Sequence, residues 1–270
     1  MADPRALYLD LLKLSLTNSL HGESYQLIPR PRAFLKRKVF DLFDQRGIQL
    51  MRRRTLDPQA RAEGRYWPAL AHTMIGLRRL DNLQFCVEDT LARKIPGDLI
   101  EAGVWRGGAS IFMRGILKAH AVTDRRVWVA DSFEGLPPPN QEKFQADARS
   151  TLYRVKVLAV PLEEVKANFN RYGLLDDQVR FLPGWFRDTL PTTSAQRWAV
   201  LRLDADMYES TMDALVNLYP NLSVGGYVII DDYGAVPACR RAVHDYRDAH
   251  NIQEEIRAID WTGVFWQRAR

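Results

Sequence analysis

From residue 98 onward, short runs rich in β-branched and aromatic residues alternate with stretches of helical period, and this alternation constrains the fold more than any other feature of the chain. It is the mark of βαβ units, in which helices cover a parallel sheet. The strand runs fall at 98–102, 126–131, 178–182, 198–204 and 227–231, with helices over 109–119, 162–172, 210–219 and 236–250. Two last strands, 254–259 and 262–267, flank a turn at Asp260 and predict a terminal antiparallel hairpin. Upstream, a short amphipathic helix is expected over 5–17 and a helical patch over 33–43. A longer helix is expected over 69–94, where Met74, Leu77, Leu80, Leu83, Val87 and Leu91 recur at three- and four-residue steps. Residues 18–66 carry a weak pattern broken by Pro29 and Pro31, which suggests a partly mobile N-terminal segment (1–66) ahead of the main α/β domain (67–270).

In an open parallel sheet, ligands bind beyond the carboxyl ends of the strands. The first strand ends in Glu101-Ala102-Gly103-Val104-Trp105-Arg106-Gly107-Gly108, where Gly103 lets the chain turn sharply against a ligand. The spacing is not that of the dinucleotide fingerprint, and no Walker lysine follows. Alone, the motif also suits an ordinary strand-to-helix turn. The next strand ends at Asp131, whose carboxylate can accept from both ribose hydroxyls of a nucleoside or cap a turn. Without a phosphate cradle, a sulfonium nucleoside such as S-adenosylmethionine fits better than a nucleotide. Trp185, just past the third strand, is either a neighbour of the adenine or a packing residue.

The fourth strand runs into Asp204-Ala205-Asp206 and the fifth into Asp231-Asp232. If these strands are neighbours, their ends lie roughly 5 Å apart, and four carboxylates converge. Such crowding needs protons or a cation, and an all-oxygen donor set favours Mg²⁺ or a similar hard ion. Each aspartate taken singly also suits a cap or turn, with Ser210 and Asp213 set to cap the following helix. Methyl transfer to an alcohol needs the hydroxyl proton removed, which a metal and a nearby carboxylate accomplish together. On this reading Asp204, Asp231 and Asp232 hold the metal and Asp206 is the base. The histidines at 21, 72, 120, 244 and 250 are rival bases, but none sits at an expected strand end.

The formal charge of +5 raises the question of an acidic partner, yet the basic residues do not interleave with aromatics as a single-strand groove requires, so nucleic acid is not expected. The apolar run near the N-terminus is interrupted by Asp10 and Lys13, which argues against a leader or membrane span. Cys86 and Cys239 offer no redox or metal spacing, and a cytoplasmic protein is expected.

The stretch 97–108, Asp131-Ser132-Phe133-Glu134-Gly135-Leu136-Pro137, Leu203-Asp204-Ala205-Asp206 and Ile230-Asp231-Asp232-Tyr233 together resemble the macrocin O-methyltransferase family. The similarity begins near Glu63 and includes Trp67-Pro68 and the stretch 71–76. The resemblance implies a class I, Rossmann-like methyltransferase fold with a seven-stranded, mostly parallel sheet and an N-terminal helical extension. It also implies S-adenosylmethionine, Mg²⁺ and a deoxysugar hydroxyl on an antibiotic or other natural product as acceptor. By motif, Glu101, Ala102, Gly103, Val104 and Trp105 line the cofactor together with Asp131, Ser132, Phe133, Glu134 and Gly135; Trp185 lies near the adenine, and Thr73 and Met74 near the methionine end. Asp204, Asp231 and Asp232 match the family's metal ligands and Asp206 its base. Ala205 departs from the family's usual glycine. The stretch 138–160 is expected to act as a lid, and by analogy the protein is expected to be a homodimer. A catechol or phenol methyltransferase and a non-catalytic binding subunit of the same fold are the competing readings, with an NAD-linked oxidoreductase weaker still because of the glycine spacing.

Overall fold

The computed structural model describes residues 3–20, 23–31, 33–55, 57–66, 68–140 and 142–270. In chain order the elements are α1 (Pro4–Leu16), β1 (Glu23–Leu27), α2 (Phe34–Asp44), β2 (Met51–Thr55), α3 (Pro58–Ala62), α4 (Leu77–Ala92), β3 (Asp98–Ala102), α5 (Gly108–Ala119), β4 (Val127–Asp131), α6 (Leu162–Arg171), β5 (Val179–Pro183), α7 (Phe186–Thr189), β6 (Trp198–Leu203), α8 (Tyr208–Leu218), β7 (Leu222–Ile230), α9 (Pro237–Ala249), β8 (Arg257–Ala258) and β9 (Val264–Gln267).

Seven strands form one sheet in the order β5-β4-β3-β6-β7-β9-β8. The pairs from β5 to β7 are all parallel, and β9 runs antiparallel to both β7 and β8. The chain builds outward from β3 to β5, then returns to place β6 on the other side of β3. Strand order therefore reverses between β3 and β6, and a crevice opens there at the carboxyl ends. Alternation along each strand sorts side chains onto two faces. Leu99, Val127, Val200 and Ile229 pack with α1, α4, α5 and α6 on one face, while Ile100, Leu201, Leu203 and Val228 pack with α8 and α9 on the other.

The expected strands and helices lie close to their observed positions, with three informative exceptions. Helix α4 starts at Leu77 rather than near 69, because 69–76 is held as a loop against the glycine turn: Arg106 Nη1 donates to the carbonyls of Ala69 (2.6 Å) and Ala71 (2.9 Å). Strand β7 begins at Leu222, five residues earlier than the 227 expected, because Gly225 and Gly226 do not end it. Helix α8 begins at Tyr208 and is not capped by Ser210; Asp147 instead accepts from the backbone N–H groups of Tyr208 (2.8 Å) and Glu209 (2.9 Å). A carboxylate at a helix N-terminus satisfies two orphan donors, so the stretch 138–160 is fastened to the sheet's carboxyl end.

Within 18–66, β1 and β2 pair antiparallel from Glu23↔Thr55 to Leu27↔Met51, with α2 between them. The polar sequence of β2, Met-Arg-Arg-Arg-Thr, hid this pairing. Helix α2 leaves Phe34, Leu35, Val39 and Leu42 exposed, whereas α1 buries Leu9, Leu12 and Leu16 in the core. His21 and Trp67, both singled out in the sequence, lie outside the described residues.

Candidate active site

A cavity of about 250 Å³ occupies the crevice at the carboxyl ends of β3, β4, β6 and β7. On its β3–β4 side, Gly103 takes φ +89° and lies so close to β6 that a Cβ there would meet the Asp204 carbonyl oxygen at 1.8 Å. Gly108, opening α5, is equally constrained, since a Cβ would stand 2.4 Å from the His72 carbonyl oxygen. That contact brings Thr73 and Met74 to the cavity wall. Asp131 braces the turn: Oδ2 accepts from the N–H of Val104 (2.8 Å) and Trp105 (3.4 Å), and Oδ1 from that of Phe133 (2.8 Å). Burial raises the Asp131 carboxyl above its ordinary value, and these backbone donors oppose the rise.

Gly103, Val104, Trp105, Asp131, Ser132, Gly135 and Trp185 all line the cavity, as does Glu101 at its floor. Ala102 faces the opposite core cluster, Phe133 packs against Phe181, and Glu134 is exposed, so these three side chains do not reach it. Trp105, Phe133 and Asp206 hold positive φ (50°, 59° and 56°) at strand ends, whereas Asn18, Lys94, Ala121 and Asn251 do so just past helix ends. Left-handed backbone is routine in the second setting and concentrates at functional loops in the first.

On the β6–β7 side, carboxylate oxygens of Asp204, Asp231 and Asp232 lie within 4.8 Å of one another. Asp206 lines the same cavity and donates its backbone N–H to Asp232 Oδ2 (3.1 Å). Burial, followed by Asp204 and Asp231, pushes the Asp206 carboxyl up to about 7. Asp204 is raised by burial and by Asp231; Asp232 is raised well above its ordinary value by burial and by Asp204. Ala205 is nearly buried in the cavity wall between them.

Two arginines that the sequence reading passed over counter this charge. Arg79 of α4 donates to Asp231 Oδ2 through Nη1 and to Asp260 Oδ2 through Nε (2.9 Å). Arg202 of β6 reaches Glu101, Asp204 and Asp231. For Arg202 a signal was present: a strand buried on both faces reads as continuously apolar, and a cation within Trp-Ala-Val-Leu-Arg-Leu requires buried partners. No described histidine lines the cavity. His72 is bonded to Tyr172 (2.7 Å), His120 to Glu88 (2.9 Å) and His244 to Tyr233 (2.7 Å), while His250 stacks near Tyr246.

A doubly wound sheet ending in an antiparallel pair, with a glycine turn and an acidic cluster meeting at its switch point, defines a class I methyltransferase, the class that uses S-adenosylmethionine. The family model for macrocin-O-methyltransferase matches residues 5–268, and the chain belongs to that family of O-methyltransferases. It is 56% identical over 266 residues, covering 98% of this chain and 94% of the relative, to the 8-demethyl-8-(2,3-dimethoxy-alpha-L-rhamnosyl)-tetracenomycin-C 4'-O-methyltransferase of Streptomyces olivaceus. It is 58% identical over 217 residues, 80% of this chain and 83% of the relative, to the demethyldecarbamoylnovobiocin O-methyltransferase of Streptomyces niveus. Among solved structures, the O-methyltransferase NovP superposes with a TM-score of 0.85 at 50% identity, covering 98% of this chain and all of that one.

Proposed function

We propose that the protein methylates a deoxysugar hydroxyl of a glycosylated natural product in antibiotic or other secondary-metabolite biosynthesis, using S-adenosylmethionine and Mg²⁺. The convergence of Asp204, Asp231 and Asp232 with Asp206 in the cavity that the glycine turn also walls carries this reading. The rhamnosyl acceptor named for the Streptomyces olivaceus relative supplies the sugar class.

The donor set suits a hard divalent ion: three carboxylates in reach of one another, with several carboxyls raised by burial and then by one another's charge. Asp204, Asp231 and Asp232 would hold it. When bound, such an ion acidifies an acceptor hydroxyl in contact with it and compensates the cluster's charge. The chain's own residues do the rest. The turn at Gly103–Trp105, braced by Asp131, seats the cofactor, with Ser132 and Gly135 beside the nucleoside and Thr73 and Met74 near its methionine end. Asp206 would take the acceptor's proton, freeing the acceptor oxygen for the methyl group that S-adenosylmethionine would supply. A carboxyl near 7 is matched to that task at neutral pH. Leu136, Pro137 and Leu158 make the stretch after β4 part of the cavity wall, consistent with a lid.

No helix among the described residues is long and apolar enough to cross a membrane, and both cysteines are free and buried, which suits the cytoplasm. A homodimer belongs to the same reading and is testable by sedimentation. The decisive assay offers S-adenosylmethionine, Mg²⁺ and a panel of demethyl deoxysugar glycosides beside catechols, with products read by mass spectrometry. Glycosides should gain one methyl group, EDTA should stop the reaction and Mg²⁺ restore it. Turnover of catechols alone would sink the sugar assignment, and EDTA-resistant turnover the metal.

A further inference from the structure

Every residue of β6 is buried, and Arg202 is the one charged side chain in it, 2% exposed at the centre of the sheet. Alternation puts Arg202 on the α4–α5 face, the face that also carries Glu101, Asp204 and Asp231. Glu101 is its direct partner in the parallel register of β3 and β6. The guanidinium forks at the carboxyl end. Nη1 donates to Glu101 Oε1 (2.5 Å) and Asp204 Oδ2 (3.1 Å), and Nη2 to Asp204 Oδ2 (3.1 Å) and Asp231 Oδ1 (2.5 Å). The other Glu101 oxygen accepts from Ser110 Oγ, in the first turn of α5 directly after the glycine motif. An unbroken chain of charged hydrogen bonds, buried except where it reaches Asp204, thus runs from the element that seats the cofactor to the two carboxylates at the acidic end.

Buried ion networks are weak contributors to stability compared with packed apolar groups, so their geometry is the better guide to what they do. A rigid planar fork fixes the spacing of the carboxylates it touches, as a flexible ammonium does not. We propose that Arg202 is a positioning residue that couples the two halves of the site: cofactor seated on the glycine turn orders Glu101, Glu101 holds the guanidinium, and the guanidinium sets Asp204 and Asp231 for the cation. Coupling of this kind is reciprocal, so Mg²⁺ tightens cofactor and cofactor tightens Mg²⁺ by one common factor. The inference rests on the cofactor and metal reading above.

The test is calorimetry with S-adenosylhomocysteine and Mg²⁺, each titrated with and without the other, on the full chain and on Arg202→Lys and Glu101→Gln. The wild type should show a common factor of about tenfold, and both variants a factor within about twofold of one. Glu101→Gln removes the charge that holds the guanidinium on the cofactor side while leaving the arginine on the acidic cluster, and it carries the test if Arg202→Lys does not fold. A merely structural role lowers stability or both affinities and leaves the factor untouched, and that result overturns the inference. So does a wild type that binds both ligands independently. A wild type that binds neither overturns the metal and cofactor reading as well, which separates the two failures.

Discussion

Asp131 and Asp204 end strands that flank β3 on its two sides, and both carboxyls are raised by burial, yet the fold surrounds them differently. Asp131 meets backbone N–H groups, which are neutral donors, and its nearest neighbours organise a turn. Asp204 meets Asp231 and Asp232, so its neighbourhood is short of positive charge even with Arg79 and Arg202 present. One carboxylate thereby holds a turn, and on the function proposed above it meets hydroxyls while the other shares a cation. The residue type is the same; the neighbours decide the chemistry.

The contrast is broken most severely by exchanging the two losses. Asp204→Ala should lower kcat on the order of 10³-fold, the equivalent of several kcal/mol of metal-derived stabilisation, and abolish Mg²⁺ binding. Cofactor affinity measured without metal should hold. Asp131→Ala should do the reverse, weakening cofactor about 10–100-fold through lost charged hydrogen bonds while Mg²⁺ alone still binds. If both variants lose the same ligand, the division of the site is wrong.

Asp206→Asn comes next, with kcat down about 10²-fold or more. A base acts only when deprotonated, so wild-type kcat/KM should rise with pH along an acidic limb at or below about 7, since burial and two aspartates push Asp206 up and a bound cation pulls it back. That limb should vanish in Asp206→Asn; an unchanged limb assigns the proton elsewhere.

The smallest effect concerns stability. Glu101 and Asp206 are raised to about 7 from ordinary values of 4.5 and 3.8, so between those limits the folded chain binds more protons than the unfolded one. Their contribution is then fully present below the unfolded values and is lost as pH rises through the folded ones. With EDTA present, Tm should fall by several degrees between about pH 5 and pH 8, and Mg²⁺ should flatten the slope by compensating the acidic side. A Tm that is flat or rising without metal contradicts the crowding of carboxylates.

The five parallel strands, the terminal hairpin, the glycine turn and the aspartates at three strand ends were all legible in the sequence, because apolar periodicity and turn chemistry are local and a strand end in a parallel sheet has only one side on which to bind. The antiparallel pairing of β1 and β2, the late start of α4, the Asp147 cap on α8 and the turning away of Ala102, Phe133 and Glu134 were decided by contacts between distant segments. Arg202 shows the limit most clearly. Its place in an apolar strand was visible in six letters, but its partner Glu101 stands 101 residues away, and only the strand order that lays β6 beside β3 brings the two charges together.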